Sequence, residues 1–240
     1  MSETPAENCL QKAHLYEQVA DLLEHQIINQ YQDGTRLPSE QQLAEQYQVS
    51  RTIIRESLKL LKERGLIDSK IGSGAYVTKP EAQNIADVVS RIIQIDRIDY
   101  DSVFDMRTIL ETEAASRAAK YVTDGELKEM EDLLEQLKSP RLSAKERSEY
   151  DFTFHYMISK ASRNPLLALM TEAIGSICRE IIHRAFLVEG GVDDSIKRHN
   201  RILRALQSHD ETAAREAIID HLEKSRQNYR EYLQSRHREK

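Results

Sequence analysis

Residues Ser39 to Arg64 read SEQQLAEQYQVSRTIIRESLKLLKER, two helical patterns divided by only Gln48, Val49 and Ser50. So short a break makes the two helices turn sharply against each other. Ser39 and Gln42 form a capping-box pattern that starts the first helix, and Ser50 is placed to cap the second. Gly65 ends the second helix in the manner of a C′ residue. Upstream, KAHLYEQVADLLEHQIIN carries Leu15, Val19, Leu22 or Leu23, and Ile27 at helical spacing, and YQDGTRLP closes it with turn residues. Downstream, LIDSK and AYVTK alternate around IGSG and predict a two-stranded hairpin. Helix, short helix, tight turn, helix and hairpin is the order of a winged helix-turn-helix.

The third helix has two distinct faces. Ile54, Leu58 and Leu61 recur at i, i+4 and i+7 and are expected to pack on the first two helices. Arg51, Arg55, Lys59 and Lys62 form a basic stripe on another face. Such a helix suits the DNA major groove and its phosphates, with Arg51 and Thr52 deepest. A solvated helix face is the competing explanation of the stripe. Charge placement separates the two parts of the chain. Eight Lys/Arg and five Asp/Glu between Arg36 and Lys79 give +3, so a total of −6 leaves −6 − 3 = −9 elsewhere.

Glycine and proline are sparse, and the segments rich in Leu, Ala, Glu, Lys, Arg and Gln predict a mainly α protein. Residues 1–10 are expected to form a tail. From about residue 83 the pattern is helical to the end, in six or seven segments. Thr123 with Glu126 and Ser143 with Glu146 repeat the capping box. Asn164-Pro165, Gly190-Gly191 and His209-Asp210 mark further breaks. The expected division is a DNA-binding domain over 1–79, a linker with a first helix over 80–98, and an all-helical bundle over 99–236. No apolar run approaches the ~18 residues that span a membrane. The N-terminus lacks the apolar core of a signal peptide, so the expected location is cytoplasmic. Cys9 and Cys178 imply neither a disulfide framework nor a cysteine zinc site.

LPSEQQLAEQYQVSRTIIRESLKLLKERGLIDSKIGSGAYV, from Leu37 to Val77, closely resembles the DNA-binding domain of the GntR family of bacterial transcription regulators. LPSE, LAE, VSR-x-x-x-RE-x-L, L-x-x-x-GLI and G-x-G-x-x-V stand in register. The resemblance implies that Arg51 and Arg55 contact bases or phosphates, that Ser50 and Thr52 contact the backbone, and that Gly72 sits at the wing tip. Gln41 stands where the family commonly has Arg, and Ile53 where it often has Pro. A glutamine at that place can still read adenine through a bidentate pair, so the operator preference is expected to differ.

In the second part, DFTFH places Asp151 and His155 one helical turn apart on one face. His199 and His221 lie about equally far from the corner at His209-Asp210, each roughly 15 Å along its helix at ~1.5 Å per residue. A helical hairpin would therefore bring them to one height. With Asp151 and His155 they make three nitrogens and one oxygen, a normal set for zinc, nickel or another first-row divalent ion. A plain helix ion pair between Asp151 and His155 is the alternative. His14, His25, His209 and His237 are expected to be surface or packing residues. Arg107 is placed to pair a ligand carboxylate, or equally to pair with Glu111 at i+4.

FDMRTILETEAASRAA, D-x-x-FH-x-x-x-x-x-A-S-x-N and the spaced His199 to His221 segment resemble the FCD ligand domain of the FadR subfamily. That resemblance implies a divalent metal on Asp151, His155, His199 and His221 at the floor of a helical cavity. It argues against a fatty-acyl ligand, because the acyl-CoA branch lacks the full set. It implies a homodimer on a palindromic double-stranded DNA operator, acting by default as a repressor released by a hydroxy or sugar acid. Two other functions stay open: a metal-dependent enzyme fused to a DNA-binding module, with His183 or Glu180 as base, and a sensor of the metal itself. The chain holds no HExxH, GxSxG or phosphate-cradling loop.

Overall fold

The computed structural model describes the backbone of residues 5–70, 74–79 and 82–238, and the side chains of 15–68, 74–79 and 84–236. Gly72, Cys9, His14 and His237 fall outside the described side chains. The chain forms two compact units, 1–84 and 85–240.

The first unit begins with helix α1 (Pro5–Gln30), which starts inside the segment expected as a tail. Helix α2 (Glu40–Tyr47) follows, closed at its start by the Ser39–Gln42 capping box, and Gln48 turns the chain in the left-handed region. Helix α3 (Arg51–Glu63) is capped by Ser50, whose hydroxyl accepts the amide of Ile53. Strands β1 (Ile67–Lys70) and β2 (Gly74–Val77) pair antiparallel, Ile67 opposite Val77. Tyr76 also bridges to Arg36. The core joins Val19, Leu23 and Ile27 of α1 to Leu43, Ile54 and Leu61, and it selects Leu23 over the exposed Leu22. Leu58 is only half-buried. It packs against this core as expected, and the neighbouring Ser57 is fully buried beside it, donating to the carbonyls of Tyr16 and Ile53.

The second unit holds eight helices among the described residues, one or two more than expected. They are α4 (Ala82–Ile95), α5 (Tyr100–Tyr121), α6 (Asp124–Leu137), α7 (Ala144–Ala161), α8 (Pro165–Ala173), α9 (Gly175–Ala185), α10 (Gly191–Gln207) and α11 (Glu211–Arg238). The capping boxes at Thr123 and Ser143 form as their spacing predicts. The break between α8 and α9 at Ile174 carries no comparable signal. A Cβ on Gly175 would meet Phe152 and Arg179 at 2.7 Å, so packing there requires glycine. Helix α5 lies against α7, α8, α10 and α11. Ala114, Ala115, Ala118 and Ala119 give it a buried face of small side chains, around which the main core gathers Met130, Leu134, Phe154, Ile202, Leu206 and Ile218.

Ile54 is fully buried between α1 and α3. Ile54→Ala is expected to cost the first unit about 2–5 kcal/mol, read as an earlier urea midpoint for that unit.

Candidate metal centre and nucleic-acid interface

Asp151 and His155 project from α7, His199 from α10 and His221 from α11, and all four are at most 4 % exposed. One ligand atom from each lies within 4.8 Å of all the others. The Nε2 atom of His155 is 3.1 Å from Nε2 of His221 and 3.3 Å from Nε2 of His199. Asp151 presents Oδ1 to His199 Nε2 at 3.2 Å and Oδ2 to His155 Nε2 at 3.6 Å. A first-row ion bound at ~2.0–2.1 Å sets neighbouring nitrogens roughly 3 Å apart, so the spacings of 3.1 and 3.3 Å suit one.

The electrostatics point the same way. Burial pushes His199 down to about 4, with Asp151 opposing and His155 reinforcing the shift. Burial, then His199 and His155, hold His221 well below the usual imidazole range. Neutral imidazoles are the form that ligates metal. Asp151 Oδ1 accepts from Ser195 Oγ at 3.1 Å, while Oδ2 has no hydrogen-bond partner among the described residues. Such a buried anion calls for a compensating cation.

A second layer surrounds this cluster. His155 Nδ1 lies 2.6 Å from Glu111 Oε2, and Arg107 Nε donates to Glu111 Oε1 at 2.7 Å. Burial alone would raise the Glu111 carboxyl, but Arg107 and His155 together hold it at about 2. His155 thus turns Nδ1 towards Glu111 and Nε2 towards the cluster, the orientation a carboxylate behind an imidazole favours, although Nδ1 and Glu111 Oε2 do not meet hydrogen-bond geometry. The Arg107–Glu111 pair foreseen at i, i+4 therefore forms, and Arg107 Nη1 is left buried without a hydrogen-bond partner. Sequence reasoning missed the reach of Glu111 to His155. It also missed Ser195, whose signal was its place one turn before His199. Glu180 is exposed and pairs with Arg184, and neither it nor His183 joins the cluster. Beside Asp151 and His221, a narrow cavity of about 10 Å³ runs between Phe186, Gly191, Lys224 and Asn228, space for about one water molecule.

In the first unit, an open groove of about 700 Å³ runs along α3, lined by Gln41, Arg51, Arg55 and Lys59 among others. Thr52 is exposed beside them. The Ser50 hydroxyl is engaged in its cap. Gln41 donates to Glu45 at 3.1 Å. Gly72 lies outside the described residues. The stripe is not simply solvated: Arg51 and Arg55 both pair with Glu40, and Lys62 with Asp68. No helix among the described residues is long and apolar enough to cross a membrane.

A winged helix-turn-helix with a cationic groove, joined in one chain to a helical unit with a buried imidazole–carboxylate cluster, defines a two-domain DNA-binding regulator. Residues 15–77 match the bacterial regulatory proteins of the gntR family, and residues 102–224 match the FCD domain. The chain is 30% identical over 194 residues to the HTH-type transcriptional regulator LutR of Bacillus subtilis (strain 168), covering 79% of this chain and 89% of that protein. It is 31% identical to the Uxu operon transcriptional regulator of Escherichia coli (strain K12), covering 90% and 87%. The galactonate operon transcriptional repressor of the same organism is 26% identical, covering 86% and 93%. The solved structure of Streptococcus agalactiae GntR superposes with a TM-score of 0.70 at 29% identity, over 88% of this chain and 99% of that one. The chain belongs to the GntR family of transcription regulators, with an FCD domain as its helical unit. Its relatives regulate transcription and are not enzymes.

The metal-free protein is expected to lose stability as pH falls from 6.5 towards 4, because unfolded His199 binds a proton there and folded His199 does not. Glu111, at about 2 when folded against 4.5, extends the loss below 4.5. Denaturant midpoints between pH 7 and pH 2 measure both slopes, His199 above pH 4 and Glu111 below pH 4.5.

Proposed function

We propose that the protein is a repressor that binds a palindromic operator as a homodimer and leaves it when a small carboxylate or sugar acid binds over a divalent ion. The convergence of three Nε2 atoms and one carboxylate at a single buried point carries this proposal. Asp151, His155, His199 and His221 hold the ion, and zinc suits this set best, with nickel or another first-row ion as the alternative. The ion supplies a Lewis-acidic anchor for a ligand oxygen. Arg107, through its free Nη1, takes the ligand's carboxylate. The galactonate operon in one relative's name supports a sugar acid.

On DNA, Arg51, Thr52, Arg55, Lys59 and Gln41 face bases and phosphates, Ser50 orders the start of the reading helix, and Gly72 approaches from the wing. Two such helices, one per protomer, suit successive major grooves. A cytoplasmic location follows from action on the bacterial chromosome. The effector releases the operator only through a difference in its affinity for the DNA-bound and free states.

The narrowness of the cavity favours one second reading, in which the ion itself is the signal. A thermal-shift screen of organic acids on metal-loaded protein, followed by operator-release assays, separates the two. Release by an acid supports the first, and release by metal alone the second. His199→Ala and His221→Ala are each expected to abolish metal content and the ligand shift. Full metal occupancy and response in both variants would refute the site. Arg55→Ala is expected to weaken operator binding by about 5- to 150-fold, the value of one lost bidentate base contact.

A further inference from the structure

The groove along α3 contains a group that simple electrostatics disfavours. Among its lining residues Arg36, Arg51, Arg55, Lys59 and Lys62 are cationic, and Glu40 stands between them. A carboxylate there repels phosphates and lowers sequence-independent affinity for DNA. Nor does it repay this as a stability device, since exposed ion pairs contribute little. Arg51 and Arg55 are each 60% exposed and Glu40 33%.

The geometry supplies another role. One oxygen, Oε2 of Glu40, accepts from Nε of Arg55 at 2.8 Å and lies 3.4 Å from Nη2 of Arg51. A single carboxylate therefore holds two guanidinium groups from successive turns of α3. Glu40 is itself well anchored as the first residue of α2, within the Ser39–Gln42 capping box. Arg55 is gripped through Nε, which leaves Nη1 and Nη2 without a partner among the described residues. Those two nitrogens form a planar fork able to meet O6 and N7 of guanine together.

We infer that Glu40 is a positioning residue that sets sequence specificity, holding Arg51 and Arg55 towards base edges and away from phosphates. This rests on α3 being the DNA-reading helix. The full chain is tested on duplexes that the unaltered protein selects from a randomised pool, and on an unselected random duplex. Glu40→Gln keeps the size and an acceptor oxygen but removes the charge. Its affinity for the random duplex is expected to rise several-fold, with a salt slope steeper by about 0.9, the value of one more phosphate contact. Its preference for the selected duplex is expected to fall about tenfold. Glu40→Asp retains the charge on a shorter arm, and is expected to lose preference with no change in salt slope. Glu63→Gln, at the far end of α3 and outside the groove lining, makes the same charge change and is expected to leave the preference intact. If both Glu40 variants keep the parental preference, in whichever direction their affinities move, the inference is overturned. If the unaltered protein enriches no duplex, the assignment of α3 falls, and the inference with it.

Discussion

The helical unit is organised around an electrostatic problem. Asp151, Glu111 and Arg107 are charged and buried beside three imidazoles. Arg107 and Glu111 neutralise each other, which leaves Asp151 with only Ser195 as a hydrogen-bond donor among the described residues. An isolated buried carboxylate is costly, and His199 and His221, whose imidazoles burial holds below their usual range, cannot balance it. A divalent ion held there would relieve this cost and use the Nε2 lone pairs that otherwise face one another. The contributions of α7, α10 and α11 are therefore coupled, because each brings donors that have little reason to be buried alone.

The first unit solves a different problem with surface chemistry. Its core is small and apolar, and the polar face of α3 is left to charges that neighbouring acids restrain. Solvent-exposed arginines are long and rotationally free, so ordering them on DNA costs side-chain entropy. Partners within the free protein lower that cost before DNA arrives.

Much of the fold was legible because its signals are local. The capping boxes at Ser39, Thr123 and Ser143 each operate within three residues, and Asn164-Pro165 and Gly190-Gly191 mark breaks through backbone chemistry. The donor set was legible because the spacing from the His209 corner matched helical rise on both sides. The rest depended on contacts between elements. Periodicity could not choose Leu22 or Leu23, and only packing decides. The break at Ile174 has no local signal, and the close approach of Gly175 to Phe152 and Arg179 is a contact between elements. Glu40 stands 15 residues from Arg55, and only the approach of α2 to α3 brings the two together. Glu111 was visible as a partner of Arg107, but its contact with His155 crosses from α5 to α7.

The cavity beside the cluster has the dimensions of a water molecule, not of an organic acid. An organic acid bound at the cluster, as proposed, would require wall residues such as Phe186 or Lys224 to move aside. Its measured affinity is then the intrinsic affinity scaled by the fraction of molecules already open. If about one molecule in a hundred is open, apparent affinity weakens about a hundredfold. Substitutions in the cavity wall would thus retune the concentration at which the regulator responds without touching any group that binds the ligand.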